Sequence, residues 1–279
     1  MNLTTLANRL KQYDRQEARS IVRLLLNDCL NLTFTDICSG ALDRLSQAEG
    51  ECLEQLMHRL ENGEPVQYVI GKANFYGRRF NVAPGVLIPR PETETLIDAV
   101  LQYCKQKDVT HPTILDIGTG SGCIAITLAK ELPGADVTAW DISNDALTIA
   151  QTNAKNLDAN VAFQHQDALN PPADTILYDA IVSNPPYICQ QEAKSMEGNV
   201  LDHEPHLALF VPDDDPLLFY RAITLYAEKA LRSNGVIAFE INPLYSSLTQ
   251  ELLARHSFHD VKIINDEYGK ERILTAIKN

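Results

Sequence analysis

From Thr113 onward, short apolar runs alternate with longer stretches of helical spacing, and few folds accept that alternation. The runs near 113–117, 136–141, 160–165, 178–183 and 235–241 predict strands. The stretches near 121–132, 143–156, 215–233 and 244–255 predict helices. Strand, helix and strand in series require a parallel sheet with helices on both faces, because each connection is a crossover rather than a tight turn. Two further strands, near 258–265 and 271–277, are separated only by Asp266 to Lys270, so they must pair antiparallel. The expectation is an α/β domain with a mainly parallel seven-stranded sheet and an antiparallel final strand. Open sheets of this kind bind ligands in the crevice beyond the carboxyl ends of their strands.

Upstream of the alternation the pattern is helical. Asp14 and Glu17 form a capping-box pattern before Ala18, Ile21, Val22, Leu25 and Cys29, which share one face. Ser46 and Glu49 repeat it before Leu53, Leu56, Met57 and Leu60, and Asn62-Gly63-Glu64-Pro65 stops that helix. Residues 1–72 are therefore expected to form a small helical bundle domain that recognises the substrate or merely covers the catalytic domain. Residues 73–83 predict a linking β-hairpin, with Asn74-Phe75-Tyr76 and Arg79-Phe80-Asn81-Val82 flanking Gly77 and the Arg78-Arg79 pair in a solvated turn. Residues 84–279 are the catalytic domain, which opens with prolines bracketing Val86-Leu87-Ile88 and a helix beginning near Pro91.

The first strand of the alternation, Ile114-Leu115-Asp116-Ile117, runs into Gly118-Thr119-Gly120-Ser121-Gly122 and then a helix. Glycines let a ligand approach the backbone, and a helix start offers unpaired N–H groups. A dinucleotide site is the competing reading, but its G-x-G-x-x-G spacing needs a small residue where this chain has Cys123. Asp116 is placed to brace the loop or to meet the ammonium of a bound amino acid, and it would repel a pyrophosphate. Asp141 closes the second strand, where a carboxylate accepts from both ribose hydroxyls. Asp167, followed by Ala168 after the third strand, can accept from an adenine amino group or cap a turn.

Ser183-Asn184-Pro185-Pro186-Tyr187 ends the fourth strand. Two proline rings fix φ and remove backbone donors, so Asn184 Oδ1 and the Pro185 carbonyl are left to accept both hydrogens of a planar NH2 group. Tyr187 would pack against the plane of that group. The competing reading is a plain Pro-Pro turn, whereas the acceptor pair suits methyl transfer to nitrogen. A formal net charge of -13 works against a nonspecific nucleic-acid surface, which needs clustered Lys and Arg. No apolar run approaches the roughly 20 residues of a membrane span, and the polar start, Met1 to Leu10, predicts no signal peptide. Six scattered cysteines without a Cys-x-x-Cys pair predict reduced core residues and no metal site. A cytoplasmic protein is expected.

A parallel sheet finished by an antiparallel hairpin resembles the Rossmann-like class of S-adenosylmethionine-dependent methyltransferases. More particularly, Gly63-Glu64-Pro65-Val66-Gln67-Tyr68, the run from Pro84 to Glu94, Asp116 to Gly122 and Asn184-Pro185-Pro186-Tyr187 resemble, in order, the motifs of the protein-(glutamine-N5) methyltransferases that modify peptide chain release factors. So do Glu204 to Leu209, Tyr220-Arg221-Ala222-Ile223, and Asp266 with Gly269 and Arg272. The resemblance covers the chain from about residue 62 onward and the helical segment only in kind. It implies that S-adenosyl-L-methionine is the methyl donor, leaving as S-adenosyl-L-homocysteine. The acceptor would be the glutamine of a release factor's Gly-Gly-Gln motif. Asn184 and Pro185 would then act at the reacting nitrogen, and Asn184, Pro185, Pro186 and Tyr187 would hold the substrate. Asp116, Gly118, Thr119, Gly120, Ser121, Gly122, Asp141, Asp167, Ala168 and Asn184 would hold the cofactor.

Asn-Pro-Pro-Tyr alone is shared with amino methyltransferases of the adenine-N6 type, so nucleic acid remains the competing acceptor, although direct nucleic-acid binding is not expected. The chain departs from the resembled pattern twice. Ala168 stands where an aromatic residue is common beside the adenine-contacting acid, and Glu240-Ile241-Asn242-Pro243 replaces a Glu-Ile-Gly turn, which predicts a reshaped turn. The segment from Ile188 to Asp215 is expected to be irregular and to order over the substrate. Within it, Asp213 to Asp215 are read as solvated, with Asp215 capping a helix that begins at Pro216.

Overall fold

The computed structural model describes residues 2–173 and 176–279. They divide into two compact units, one built from residues up to Lys72 together with Glu197–His203, the other from the remainder.

The helical unit holds α1 (Leu3–Ala7), α2 (Arg15–Leu30), α3 (Phe34–Cys38), α4 (Gln47–Glu61) and α5 (Val66–Ile70). Asp14 starts α2 by accepting from the N–H groups of Gln16 and Glu17 at 2.7 and 2.9 Å, a simple cap where a reciprocal box was expected. Ser46 and Glu49 do form the reciprocal box at the start of α4. Thr33 and Asp36 form another at α3. Asn31, in the left-handed conformation, ends α2. Val22, Leu25 and Leu26 of α2 and Leu53, Met57 and Leu60 of α4 are fully buried in one core with Leu6 and Leu10. Each contributes about 1.5–3 kcal/mol relative to exposure. Arg59 bonds the Glu64 carboxylate and the carbonyls of Tyr68 and Val69, so Glu64 serves as a clamp between α4 and α5.

The chain then forms a hairpin of β1 (Lys72–Phe75) and β2 (Arg78–Asn81). The turn is Tyr76-Gly77, both with positive φ, as a two-residue hairpin demands. Tyr76 therefore belongs to the turn and Arg78-Arg79 to the second strand, one step off the expected register. Arg78 pairs with Glu131. Asn153 fastens the hairpin through both backbone groups of Asn81, at 2.7 and 3.0 Å.

After a 3-10 turn over Pro91–Thr93 come α6 (Glu94–Gln106), β3 (Thr113–Ile117), α7 (Cys123–Glu131), β4 (Asp136–Asp141), α8 (Asn144–Asn156), β5 (Ala162–His165) and β6 (Tyr178–Ser183). The two-residue strands β7 (Ile188–Cys189) and β8 (Phe210–Val211) pair in parallel. Between them lie a 3-10 helix (Gln190–Ser195), α9 (Gly198–His203) and α10 (His206–Leu209). This segment is thus largely ordered, contrary to expectation. Asp213 accepts from the Gln191 N–H at 2.9 Å, and Asp215 pairs with Arg221. Asp215 is not a helix cap, because α11 (Leu218–Ala230) begins beyond it with Leu217 at the N-cap position. Then follow β9 (Leu231–Glu240), α12 (Ser246–Arg255), β10 (Phe258–Asn265) and β11 (Glu271–Lys278).

The seven-stranded sheet has the order β10-β11-β9-β6-β3-β4-β5. β11 lies between β9 and β10 and is antiparallel to both, while β9, β6, β3, β4 and β5 are mutually parallel. Side chains alternate across it as the strand period requires. Ile114, Ala180 and Val182 join α6 and α7 in one core, and Leu115 and Ile181 join α11 in the other. The strand order reverses at β3, which has β4 on one side and β6 on the other. That switch point opens the crevice in which the site lies.

Candidate active site

A cavity of about 380 Å³ opens beyond β3, β4, β5 and β6, walled also by residues 85–90 and Thr93. Its size suits a small-molecule ligand. On the glycine loop, Gly118 and Gly120 have φ of 76° and 55°, and a Cβ at either would meet nothing within 4 Å. The backbone there is bare toward the cavity. Gly122 does a different job and does not line the cavity. A Cβ on it would come within 2.8 Å of Ile126 and 3.1 Å of Ala150, so this glycine lets α7 pack on α8.

Three of the loop's donors are taken, although a helix start had made free N–H groups the expectation. The N–H groups of Gly118 and Thr119 both donate to the Trp140 carbonyl at 2.9 Å, and that of Gly120 donates to Asp141 Oδ2 at 2.8 Å. A pyrophosphate would find no cradle in these groups. Together with Cys123, this weighs against a dinucleotide.

Asp116 is fully buried and braces the loop, with Oδ2 accepting from Thr119 Oγ1 at 2.6 Å and from the Ala125 N–H at 3.2 Å. Its Oδ1 has no partner among the described residues, and Asp116 does not line the cavity. Burial, with a smaller contribution from the charge of Asp141, pushes its pKa up to about 7. Asp141 does line the cavity. It accepts from Ser143 N–H at 2.9 Å as well as from Gly120, and burial raises its pKa against those bonds. Each of its oxygens keeps a second lone pair for a ligand hydroxyl. Asp167 caps a turn, accepting from the Leu169 N–H at 2.8 Å and Asn170 Nδ2 at 2.6 Å, and lines the cavity with Ala168. Exposed Ile142 and Leu169 add apolar wall beside them.

Past the end of β6, Asn184, Pro185 and Pro186 line the cavity but Tyr187 does not. Tyr187 packs on the core shared with Tyr220 and Phe239 and donates its hydroxyl to Glu240 Oε1 at 2.9 Å. The other oxygen of Glu240 accepts from Thr93 Oγ1 at 2.5 Å. Thr93 Oγ1 in turn accepts from Asn184 Nδ2 at 3.4 Å, a length common in ligand-free catalytic contacts. Glu240 is buried, which raises its pKa, while the Thr93 and Tyr187 hydroxyls and the Arg272 charge oppose the rise. Asn242 makes the reshaped turn, capping it through Leu244 N–H at 3.0 Å and donating to the Tyr187 carbonyl and to Glu192. Buried Glu204 anchors the wall, accepting from the Ile88 N–H at 3.2 Å and from Arg90.

Three of these residues did not emerge from the sequence as site residues. Thr93 lay inside the run from Pro84 to Glu94, which was noted only as a whole. Glu240 carried a usable signal, an acid closing the apolar run Val236 to Phe239. Asn153, which also donates to the Ser121 carbonyl at 2.9 Å, is an unremarked polar residue on a helix.

The profile of the methyltransferase small domain matches residues 93–203, and that of the PrmC N-terminal domain matches residues 3–71. A release factor glutamine methyltransferase of Bacteroides thetaiotaomicron is 48% identical over 267 residues, spanning 95% of this chain and 94% of the relative. Another from Flavobacterium psychrophilum is 40% identical over 263 residues, spanning 94% and 92%. Among solved structures, a T. thermophilus 16S rRNA methyltransferase in complex with AdoMet and guanosine matches 75% of this chain and 50% of its own, with a TM-score of 0.54 and 21% identity. A methyltransferase from Pyrococcus furiosus matches 74% and 91%, with a TM-score of 0.53 and 18% identity. These two structures speak for the fold, a Rossmann-like methyltransferase domain.

Proposed function

We propose, since the chain belongs to the family of release factor glutamine methyltransferases, that it methylates the side-chain amide nitrogen (N5) of the glutamine in a release factor's Gly-Gly-Gln motif, with S-adenosyl-L-methionine as donor. The observation that carries this reading is the acceptor wall itself. Asn184 and Pro185 line the cavity, and the Asn184 amide is held from behind by Thr93.

The cavity fits the donor molecule. Bare glycine backbone at Gly118 and Gly120 admits close approach, Asp141 offers lone pairs to ribose hydroxyls, and Asp167 offers one to an adenine amino group. Ile142 and Leu169 supply the apolar contact that Ala168 is too small to give. When bound, the cofactor supplies a methyl group already activated by its sulfonium.

The protein's task is then alignment. An amide nitrogen is a weak nucleophile because its lone pair is delocalised into the carbonyl. Asn184 Oδ1 and the Pro185 carbonyl accept its two N–H bonds, fix the nitrogen in line with the methyl carbon, and stabilise the positive charge that grows on it. The bound donor would supply the methyl carbon, its S–C bond breaking as the N–C bond forms, while Asn184 Oδ1 and the Pro185 carbonyl hold the nitrogen and one amide proton passes to solvent. No side chain of raised pKa is needed as a base. The helical unit is assigned the recognition of the protein partner, and the reaction is assigned to the cytoplasm. No helix among the described residues is long and apolar enough to cross a membrane.

Incubation with labelled S-adenosyl-L-methionine tests the reading, with a release factor, the same factor lacking its Gly-Gly-Gln glutamine, and duplex DNA as acceptors. Label is expected on the intact factor alone. Label confined to DNA would overturn the proposal.

A further inference from the structure

The two ends of an asparagine amide are nearly the same shape, yet only one of them can serve the acceptor role. With Oδ1 toward the cavity, Asn184 accepts from the substrate's NH2 group. With the amide reversed, two donors would face two donors. Something must set the direction, and the Pro-Pro turn by itself does not, because it fixes the backbone and leaves the amide free to turn over.

We infer that Thr93 and Glu240 are positioning residues that set the direction of the Asn184 amide. The inference rests on the glutamine-amide reading above and deepens it. An ionised carboxylate can only accept. Glu240 is buried beside Arg272 and receives the Tyr187 hydroxyl on one oxygen and the Thr93 hydroxyl on the other. Thr93 has a single proton, and the 2.5 Å bond to Glu240 commits it. Toward Asn184, therefore, Thr93 Oγ1 has only a lone pair to offer, and the group it meets is Nδ2. Oδ1 is thereby turned away from Thr93, toward the reacting nitrogen.

The relay is held at both ends by the surrounding chain. Thr93 ends a 3-10 turn that starts with Pro91, and the strand-like segment before it is pinned by Glu204 through Ile88 and Arg90. Glu240 closes β9, and its main-chain carbonyl accepts from the buried Tyr220 hydroxyl at 3.1 Å.

Three substitutions test this. Thr93→Val keeps the shape and removes the hydroxyl, Thr93→Ser keeps the hydroxyl, and Glu240→Met keeps the length of the side chain but removes both acceptors, which frees the Thr93 proton to turn toward Asn184. Each variant is measured for kcat and KM on the release factor, for S-adenosyl-L-methionine affinity, and for thermal midpoint. Thr93→Val and Glu240→Met should lower kcat by about tenfold or more, with cofactor affinity unchanged, whereas Thr93→Ser should keep kcat within about threefold of wild type. Wild-type kcat in Thr93→Val, or equal loss in Thr93→Ser and Thr93→Val, would overturn the relay. So would full kcat in Glu240→Met beside an impaired Thr93→Val, since Thr93 would then act on the substrate directly. If Glu240→Met does not fold, the Val and Ser pair decides alone. Failure of the wild-type enzyme to label the glutamine would overturn the underlying reading and the relay with it, an outcome distinct from all the others.

Discussion

Asp116 lies on β3 and Asn184 just past the neighbouring parallel strand β6, one behind the glycine loop of the cavity and the other in its acceptor end. Asn184 is the first member of a hydrogen-bonded series that runs through Thr93 to a buried carboxylate held by two hydroxyls. Asp116 is a buried carboxylate with one oxygen engaged and the other without a partner among the described residues. The carboxylate behind Asn184 is thus satisfied before any ligand arrives, whereas the one behind the loop carries an uncompensated oxygen, which costs about 1–3 kcal/mol or more when charged. In the proposed reaction, orientation would matter at the first and mere support would suffice at the second.

The sharpest way to break this contrast is at Asn184. Asn184→Ala should lower kcat by at least about a hundredfold, by loss of transition-state stabilisation, while S-adenosyl-L-methionine affinity measured by calorimetry stays near wild type. Parallel losses in both would mean the two ends are not separable.

Next in size is the pH behaviour of Asp116. Its pKa in the fold, about 7, exceeds the ordinary value of 3.8, so the fold favours the protonated form. That contribution is fully present below about pH 4, is lost as pH rises toward 7, and stays lost above. Asp116→Asn can keep the bracing bonds and cannot ionise. Its stability relative to wild type in denaturant unfolding without ligand should rise between pH 4 and 8 by up to a few kcal/mol, about 1.4 kcal/mol for each pH unit crossed between the two pKa values. A difference independent of pH would remove the contrast between the two ends.

Smaller effects separate the glycines. Gly122→Ala forces a methyl group onto Ile126 and Ala150 and should destabilise by about 1–3 kcal/mol, read as a lower Tm. Gly120→Ala meets open space, so it should cost only about 1 kcal/mol of backbone strain while weakening cofactor binding more than it lowers Tm. If Gly120→Ala proved the more destabilising of the two, the assignment of one glycine to ligand access and the other to helix packing would be reversed.

Much of this architecture was legible in the residues. The strand and helix alternation, the antiparallel insertion near the end, and the placing of Asp141, Asp167 and Asn184 after successive strands all follow from local pattern. What could not be read depends on pairing across distance. Thr93 and Glu240 lie 147 positions apart, and nothing local says that a threonine in a proline-rich turn will meet the acid at the end of β9. Tyr187 faces the core rather than the cavity, and the sequence hides this because the Pro-Pro step ends the strict alternation of side chains. The side that the next residue faces is then no longer set by period. The loop donors look free along the chain because their acceptor, the Trp140 carbonyl, comes from a neighbouring strand. Asp215 shows the same limit at close range, since a helix starting slightly later converted an expected cap into a partner for Arg221.

The place of β11 sets the order in which the molecule can become competent as it is made. In the finished sheet Glu240 stands beside Ile273, and the neighbouring Arg272 helps hold the Glu240 carboxyl down. Until the ribosome has passed Lys278, β9 is an open edge, with Glu240 lacking both that strand and that charge. A chain cut short before Glu271 would retain the glycine loop, Asp141, Asp167, Thr93 and Asn184, and still lack the strand that encloses the Glu240 end of the relay. The wall around Asn184 is therefore completed only once β11 has been made, although the residue at its centre is synthesised long before.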